Sequence, residues 1–256
     1  MPALQTVADA AVHVLVVPNK GLPMRYVLLL TSLALASCSS TPTVTQHGGM
    51  RDALRMGNTQ ARITFEEVNR IPNAFAVGAL TNLDGEITIF NGNVYTATTA
   101  DGKTAVTNIN EAQYDSATLL SLSYVESWNK MKLPSDQPLE DAIELAAGIF
   151  GKDTNEPFPF LLTGTASEYH LHVINGYCPV ANPDLELKYQ PWRQTNSNSE
   201  DITVVGFYAK DQEGVMTHHG SNVHIHGIMD IDGVLTSGHL DSVELEPGAT
   251  IFVPAD

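Results

Sequence analysis

Cysteine is scarce in this sequence of 256 residues, which contains only Cys38 and Cys178. The first ends an apolar run near the start of the chain, whereas the second precedes Pro179 and has no cysteine or histidine at metal-ligand spacing. Because their contexts differ so much, we do not interpret them as a disulfide pair. Cys178 is predicted to be a buried apolar residue.

Positive charge is also in short supply. The chain has 13 Lys and Arg against 29 Asp and Glu, which gives a formal net charge of −16. Phosphate binding needs clustered basic side chains, so this balance argues against nucleic acid as a partner. A site for a small anionic substrate would need a local positive charge, which a metal ion could supply.

Hydrophobic runs are short. The apolar run from Tyr26 to Ala36 falls well below the roughly 20 residues needed to span a bilayer. It follows Met24-Arg25 and ends in Leu-Ala-Ser-Cys38, a pattern typical of a secretory signal. This ending resembles the bacterial lipobox, in which the cysteine is lipidated and becomes the mature N-terminus. We therefore interpret residues 24–38 as a lipoprotein signal peptide and Cys38 as the lipidation site, with a buried strand or helix as the alternative.

This signal predicts an exported protein on the periplasmic face of a bacterial membrane, held there by the lipid anchor only. Residues 1–23 form an upstream extension, which a misassigned start would explain if Met24 is the true initiator. Residues 39–60 are rich in Ser, Thr and Gly and lack an apolar period, so they are predicted to be a flexible tether.

The rest of the chain is predicted to form two domains. Hydrophobic residues make up 43% and charged residues 16% of the sequence, which is a globular composition. We assign an N-terminal α+β domain to residues 61–178 and a C-terminal metal-binding β domain to residues 202–256. Residues 179–201, rich in Pro, Asn and Ser, are predicted to link them.

The periodicity of apolar residues predicts an α+β fold with antiparallel or mixed sheets and few helices. A short helix is predicted at 62–72, and a clearer one at Leu139–Phe150 that ends at Gly151. Asn91-Gly92 predicts a β-hairpin. Four strands are predicted towards the end of the chain, at 202–209, 222–230, 234–245 and 249–253.

Three histidines are predicted to meet on one face of a second hairpin. His224 and His226 are two residues apart, so both point to the same face of a strand. Asp232-Gly233 predicts a two-residue turn, and this turn places His226 directly opposite His239. Opposed residues share a face, with Cβ atoms roughly 4.5–5.5 Å apart.

Three imidazole nitrogens with an open fourth position form the usual catalytic zinc site, so His224, His226 and His239 are predicted to bind a metal ion. The same register places Asp241 opposite His224. There it could be a fourth ligand, although we favour support of a ligand or plain exposure. The alternative is a solvated strand face that happens to carry histidines.

The other histidines give weaker signals. His170 and His172 repeat the same spacing on a predicted strand, but no third partner stands near them, so we interpret them as packing or surface residues. His218 and His219 lie in a glycine-flanked loop, where they could line the mouth of a pocket. A surface position is favoured for both.

Several short segments stand in a recognisable order. Gly78 to Glu86 ends in Leu-Asp-Gly-Glu, an apolar run and a turn lead to Val94-Tyr95, and Val205-Gly206-Phe207 comes later. His-x-His at 224–226 and a Gly-His at 238–239 follow. In this order of segments the chain resembles the bacterial alpha-acetolactate decarboxylases, from about residue 62 to 245.

The resemblance implies a two-domain α+β fold, a single zinc ion, usually a homodimer, and decarboxylation of 2-acetolactate to acetoin. It implies that His224, His226 and His239 are the zinc ligands and that Glu86 is the active-site glutamate. Loss of CO₂ from this β-keto acid leaves negative charge on the former ketone, which zinc would stabilise as a Lewis acid.

Two departures from the family pattern stand out. Leu161, three residues before Gly164, occupies the position of a family arginine, and the family's C-terminal tail with its second glutamate has no counterpart before Asp256. An arginine from elsewhere, such as Arg193, could take the place of the missing one.

These departures keep other functions open. A catalytically degenerate lipoprotein of the same fold would bind metal or a small ligand without turnover. A cupin-like metal enzyme is a third and weaker hypothesis. It draws on His224-Ile-His226 and the segment 245–254, but the Glu and the later His of the cupin pattern do not stand at their expected places.

Overall fold

The first of two β-sheets is built from the N-terminal half of the described chain. The computed structural model describes residues 42–66, 68, 71–111, 114–177 and 190–255. Seven antiparallel strands form this sheet in the order β1-β7-β3-β4-β5-β6, with β2 paired to β7. The strands are β1 (Thr45–His47), β2 (Ile63–Thr64), β3 (Ala74–Leu80), β4 (Glu86–Phe90), β5 (Asn93–Thr98), β6 (Val106–Ile109) and β7 (Ser116–Tyr124).

The second sheet also has seven strands, and the long strand β9 is its centre. Its order is β11-β12-β13-β9-β14-β8, and β9 also pairs with β10 and β11. Strand β12 pairs with β11 on one side and with β13 on the other, and β11 and β13 both pair with β9. These four strands therefore close into a ring around an apolar core. The strands are β8 (Trp128–Lys132), β9 (Phe158–Val173), β10 (Trp192–Asn196), β11 (Glu200–Tyr208), β12 (Val223–Ile231), β13 (Val234–Leu245) and β14 (Thr250–Pro254).

Two α-helices accompany the sheets in the described part of the chain, α1 (Met50–Met56) and α2 (Leu139–Ile149). The predicted helix at 139–150 is confirmed, with Gly151 following it at a positive φ of 75°. The fold class is therefore confirmed as α+β, with antiparallel sheets and few helices. No helix among the described residues is long and apolar enough to cross a membrane.

Residues 42–60 are more structured than predicted. Within the predicted tether, β1 pairs with β7, and α1 buries Met50 and Ala53. The tether prediction is therefore wrong for residues 45–56, because a few apolar side chains find partners that a polar composition does not reveal. The predicted helix at 62–72 is also wrong: Ile63–Thr64 is a strand, and Phe65 and Val68 are buried in turns.

The predicted domain boundary at 179–201 does not separate the two sheets. The chain passes from the first sheet to the second between Tyr124 and Trp128. The predicted linker contributes β10 to the second sheet. That boundary is wrong because β9, assigned to the N-terminal domain, pairs with β11 and β13 of the C-terminal one. The signal peptide, Cys38 and Cys178 lie outside the described residues.

Both predicted hairpin turns are present. Asn91 and Gly92 have φ values of 50° and 78°, and Asp232 and Gly233 have 53° and 83°. Positive φ at both turn positions matches the right-handed twist of the flanking strands, which explains the preference for Asn, Asp and Gly. Strands β12 and β13 leave the second turn in the predicted register, with His226 opposite His239. This register positions the site described next.

Candidate metal centre

Strands β12 and β13 bring three buried histidines together on the face of the second sheet that meets β4. Ile225, between His224 and His226, points into the apolar core of the ring, so alternation turns both histidines the other way. The side chains of His224, His226 and His239 each offer a nitrogen, and the three nitrogens lie within 4.8 Å of one another. The pairs of ring centroids are 5.1–5.3 Å apart. The structure thus places the three predicted ligands in one cluster, which we call the histidine triad.

The triad has the chemistry that a metal ion requires. Nδ1 of His224 and Nε2 of His226 are buried and have no hydrogen-bond partner among the described residues. Nδ1 of His226 lies 3.1 Å from Oγ1 of Thr88, so a proton held there leaves the Nε2 lone pair free. Unpartnered buried nitrogens cost stability unless something binds them. The donor set therefore fits a divalent metal ion.

Burial keeps the triad neutral. Loss of solvation lowers the pKa of His224 to about 3 and holds the pKa values of His226 and His239 well below their usual range, and neighbouring imidazoles lower all three further. A histidine must be neutral to bind a metal ion. The triad is thus in its metal-binding form at neutral pH.

Glu86, the predicted active-site glutamate, lies beside the triad at the start of β4. Its Oε2 is 3.7 Å from Nε2 of His226, and the backbone N–H of Ile174 donates to its Oε1 over 3.3 Å. Burial raises the pKa of this carboxyl to about 7, against a smaller lowering by His172. Glu86 can therefore be protonated or ionised near neutral pH, as a group that moves protons must be.

His172 is a site residue that the sequence interpretation missed. It is buried at 8% exposure, pairs with His239 across β9 and β13, and its ring centroid is 4.7 Å from that of His239. The interpretation as a packing or surface residue is wrong, because the neighbours of His172 come from a strand that is distant in the sequence. Its His-x-His spacing was the available signal. His170 lies exposed, 3.5 Å from Glu168.

His218 also belongs to the site. Its ring centroid lies 5.0 Å from that of His239, and its side chain lines the same cavity as His224 and His239. His218 is exposed, as favoured from the sequence, and it also lines the pocket, which was the alternative considered for this loop. Its neighbour His219 is exposed as well and pairs with Glu213 at 3.0 Å.

Asp241 does not face His224 as predicted. The pairing of β12 with β13 ends at His226 and His239, and the register of β13 against β9 shifts between Leu240 and Ser242. Oδ2 of Asp241 accepts from Nδ1 of His172 at 3.0 Å and from Nη1 of Arg193 at 3.2 Å. A regular hairpin register does not extend through a bulge, so the sequence argument fails at this residue.

A small cavity of about 110 Å³ opens onto the site. This volume is below the roughly 300 Å³ at which pockets for drug-sized ligands begin, so the cavity suits a small substrate. Arg193 is the single lysine or arginine in its wall among the described residues. The wall consists of Met50, Leu54, Gly78, Ala79, Leu83, Glu86, Leu119, His172, Ile174, Arg193, His218, His224, His239 and Asp241.

Comparison with known proteins decides the family. A sequence model described as alpha-acetolactate decarboxylase matches residues 44–253. The chain belongs to the alpha-acetolactate decarboxylase family. The resemblance inferred from the order of short segments is confirmed. No curated protein sequence matches the chain.

Solved structures of acetolactate decarboxylases share the fold. The alpha-acetolactate decarboxylase of Bacillus subtilis strain 168 aligns with a TM-score of 0.60 at 19% identity, over 84% of this chain and 86% of that one. The enzyme from Bacillus subtilis subspecies spizizenii gives 0.61 at 18% identity over the same shares. A Staphylococcus aureus protein of unknown function, similar to alpha-acetolactate decarboxylase, gives 0.60 at 16% identity over 82% and 84%. The predicted acetolactate-decarboxylase-like fold is confirmed.

The position aligned with the family arginine lies outside the cavity. Leu161 is buried at 6% exposure between the two sheets, in an apolar cluster with Val77 and Val205. The positive charge that lines the cavity comes instead from Arg193 on β10, which pairs with His172 in the sheet. Arg193, considered from the sequence as a replacement for the arginine expected at Leu161, thus lines the cavity, and Leu161 does not.

Proposed function

We propose that this chain is a zinc-dependent decarboxylase that converts 2-acetolactate to acetoin and CO₂, or a related 2-hydroxy-3-keto acid to the corresponding hydroxy ketone and CO₂. One observation carries the proposal. Three buried histidine nitrogens converge beside the buried carboxyl of Glu86 at the wall of a small cavity. Membership of the acetolactate decarboxylase family supports the reaction class.

The histidine triad would hold the zinc ion. Three imidazole nitrogens suit zinc and leave a coordination position open. When bound, zinc supplies Lewis-acid stabilisation of the negative charge that develops on the former keto oxygen. The proposal of zinc rests on the donor set, since nitrogen ligands of this kind also suit other first-row metals.

The chain's own residues would bind the substrate and move its proton. Breaking the bond to the carboxylate releases CO₂ and leaves an electron pair on the substrate, which takes up one proton at carbon to give acetoin. Glu86 is placed to hold that proton at Oε2, because the N–H of Ile174 anchors Oε1. Arg193, half-exposed and oriented by Asp241, would attract the substrate carboxylate.

The second candidate is a lipoprotein of the same fold that binds metal or a small ligand without turnover. The burial of Leu161 among apolar side chains favours it, because the aligned arginine charge is lost from that position. Arg193 also forms an ion pair with Asp241, which offsets its charge. The two candidates share the metal site and differ in catalysis.

One assay separates them. The protein from residue 39 onwards, loaded with zinc and given racemic 2-acetolactate, is expected to release acetoin and to bind one zinc ion per chain. Acetoin is measured colorimetrically, and zinc by atomic absorption. Bound zinc without acetoin would favour the binding protein, and absence of bound zinc would overturn the metal site itself.

We also propose that the protein is exported and anchored through a lipid on Cys38, and that it forms a homodimer. The lipobox-like sequence Leu-Ala-Ser-Cys38 supports the anchor. In cells fed a labelled fatty acid, the wild-type chain is expected to carry the label and to sediment with membranes. Replacement of Cys38 by alanine is expected to abolish both. Label retained by the variant would contradict the proposed lipidation site.

A further inference from the structure

Helix α1 forms part of the wall of the substrate cavity. Met50 and Leu54, one turn apart on the helix, line the cavity that Glu86, His224 and His239 also line. Met50 is 3% exposed, and Leu54 packs against the cluster that surrounds it. A segment that the composition predicts to be a tether thus contributes two side chains to the site.

Backbone hydrogen bonds fix this helix in place. The N–H of Met50 donates to the carbonyl of Val215 over 3.1 Å, and the N–H of Arg51 donates to the carbonyl of Gly214 over 2.8 Å. Strand β1, just before the helix, pairs with β7. These contacts do not involve the Leu54 side chain, so a change at Leu54 alters the cavity while the helix keeps its anchors.

The wall of the cavity is divided by polarity. Its apolar part is one contiguous cluster, in which Leu54 joins the buried side chains of Met50, Ala79, Leu83, Leu119 and Ile174. The polar part consists of Glu86, Arg193, Asp241 and the histidines. A small molecule with oxygens at one end and alkyl groups at the other fits this division, because unpaired oxygens in an apolar environment are costly.

We infer that Leu54 of α1 is a specificity-determining residue, which limits the size of the alkyl group that the substrate carries on its hydroxyl-bearing carbon. This inference rests on the proposed function, since it takes a 2-hydroxy-3-keto acid as the substrate. The substrate's carboxylate, hydroxyl and keto oxygens turn to the polar part of the wall. Its alkyl group lies against Leu54 and Met50.

The test compares 2-acetolactate with its homologue that carries ethyl in place of methyl on the hydroxyl-bearing carbon. Replacing Leu54 with alanine is expected to shift the ratio of kcat/KM values towards the ethyl substrate on the order of 10-fold, because one methylene in an apolar pocket is worth at least that much. Leu54→Phe is expected to shift the ratio in the opposite direction. Met56→Ala, on the same helix but 66% exposed, is the matched control and is expected to leave the ratio unchanged.

Binding provides a readout that does not depend on turnover. The zinc-loaded protein is titrated calorimetrically with 2-hydroxy-2-methylpropanoate and with 2-ethyl-2-hydroxybutanoate, which lack the keto group and are not decarboxylated. Leu54→Ala is expected to improve the relative affinity for the larger acid on the order of 10-fold. Unchanged affinities and rates in both folded Leu54 variants would overturn the inference. If the wild-type protein releases no acetoin but Leu54→Ala still shifts the relative affinity, the proposed reaction is overturned and the assignment of Leu54 to the cavity wall stays intact.

Discussion

Replacing His226 with alanine is expected to remove the bound metal and to reduce acetoin release to background. His226 is fully buried and offers one of the three nitrogens of the triad, and its Nε2 has no hydrogen-bond partner among the described residues. Loss of a hydrogen-bond partner behind a metal ligand already costs roughly 10–100-fold in affinity, so loss of a ligand itself should cost more. Zinc content after dialysis and a competition titration with a chromogenic chelator measure the effect.

The matched control for this variant is His170→Ala. His170 lies on β9 two residues from His172, but its side chain is exposed and lies 3.5 Å from Glu168. The control is expected to bind zinc and release acetoin as the wild-type protein does. Thermal unfolding shows whether the His226 variant is folded. A folded His226→Ala protein that keeps one tightly bound zinc ion would place the metal elsewhere.

The second large effect is expected from Glu86→Gln, which should keep the zinc and lose acetoin formation by roughly 10²–10⁴-fold, the usual contribution of a positioned acid or base. Glutamine has nearly the same shape and can still accept the hydrogen bond from the N–H of Ile174. It cannot exchange a proton with the substrate. The measurement is kcat for acetoin release at saturating zinc, with Glu168→Gln, an exposed carboxyl on β9, as the control.

Stability gives an independent check on Glu86. Its pKa is raised from 4.5 to about 7 by burial, so the folded state disfavours the ionised form. The stability that the protonated group contributes is complete below pH 4.5 and is lost as the pH rises through 7. At pH 8 the metal-free Glu86→Gln protein is therefore expected to be more stable than the wild type by about 3 kcal/mol in free energy of unfolding, and to unfold at a higher temperature.

The turnover measurement has its own contradicting outcome. Wild-type turnover by the Glu86→Gln variant would exclude Glu86 from proton transfer.

The triad could be predicted from the sequence because its geometry is local. His224 and His226 share a strand face by alternation, and the turn at Asp232-Gly233 sets the register that brings His239 opposite. Both turn residues have positive φ, as the sequence signal requires. Every step of that prediction concerns residues on one hairpin, so no knowledge of the rest of the fold was needed.

The rest of the site is assembled by pairings that no local pattern encodes. His172 reaches His239 because β9 pairs with β13, and Glu86 arrives from the other sheet on β4. Arg193 joins them through β10, in a segment that its composition marks as a linker. Strands that pair across long stretches of chain are selected by burial in the whole fold, so spacing alone could not place these three residues.

The N-terminal elements show the same limit. The composition of residues 45–56 predicts a polar, unstructured segment. In the structure, β1 adds to the edge of the first sheet and α1 buries Met50 and Ala53. A helix of this length has marginal stability by itself and depends on tertiary contacts. The apolar partners of α1 include residues of β3 and β7 and of the turn at Thr81–Leu83. The composition of residues 45–56 does not predict these contacts.

The sequence by itself determined the α+β class, the two hairpin turns, helix α2, the family and the histidine triad. All of these follow from side-chain periodicity, turn chemistry or the order of short motifs, which are properties of neighbouring residues. Only the tertiary structure decided that Glu86 is buried beside the triad and that His172, Arg193 and two side chains of α1 line the cavity. These arrangements depend on which distant surfaces are buried against one another, and that choice is made by the fold as a whole.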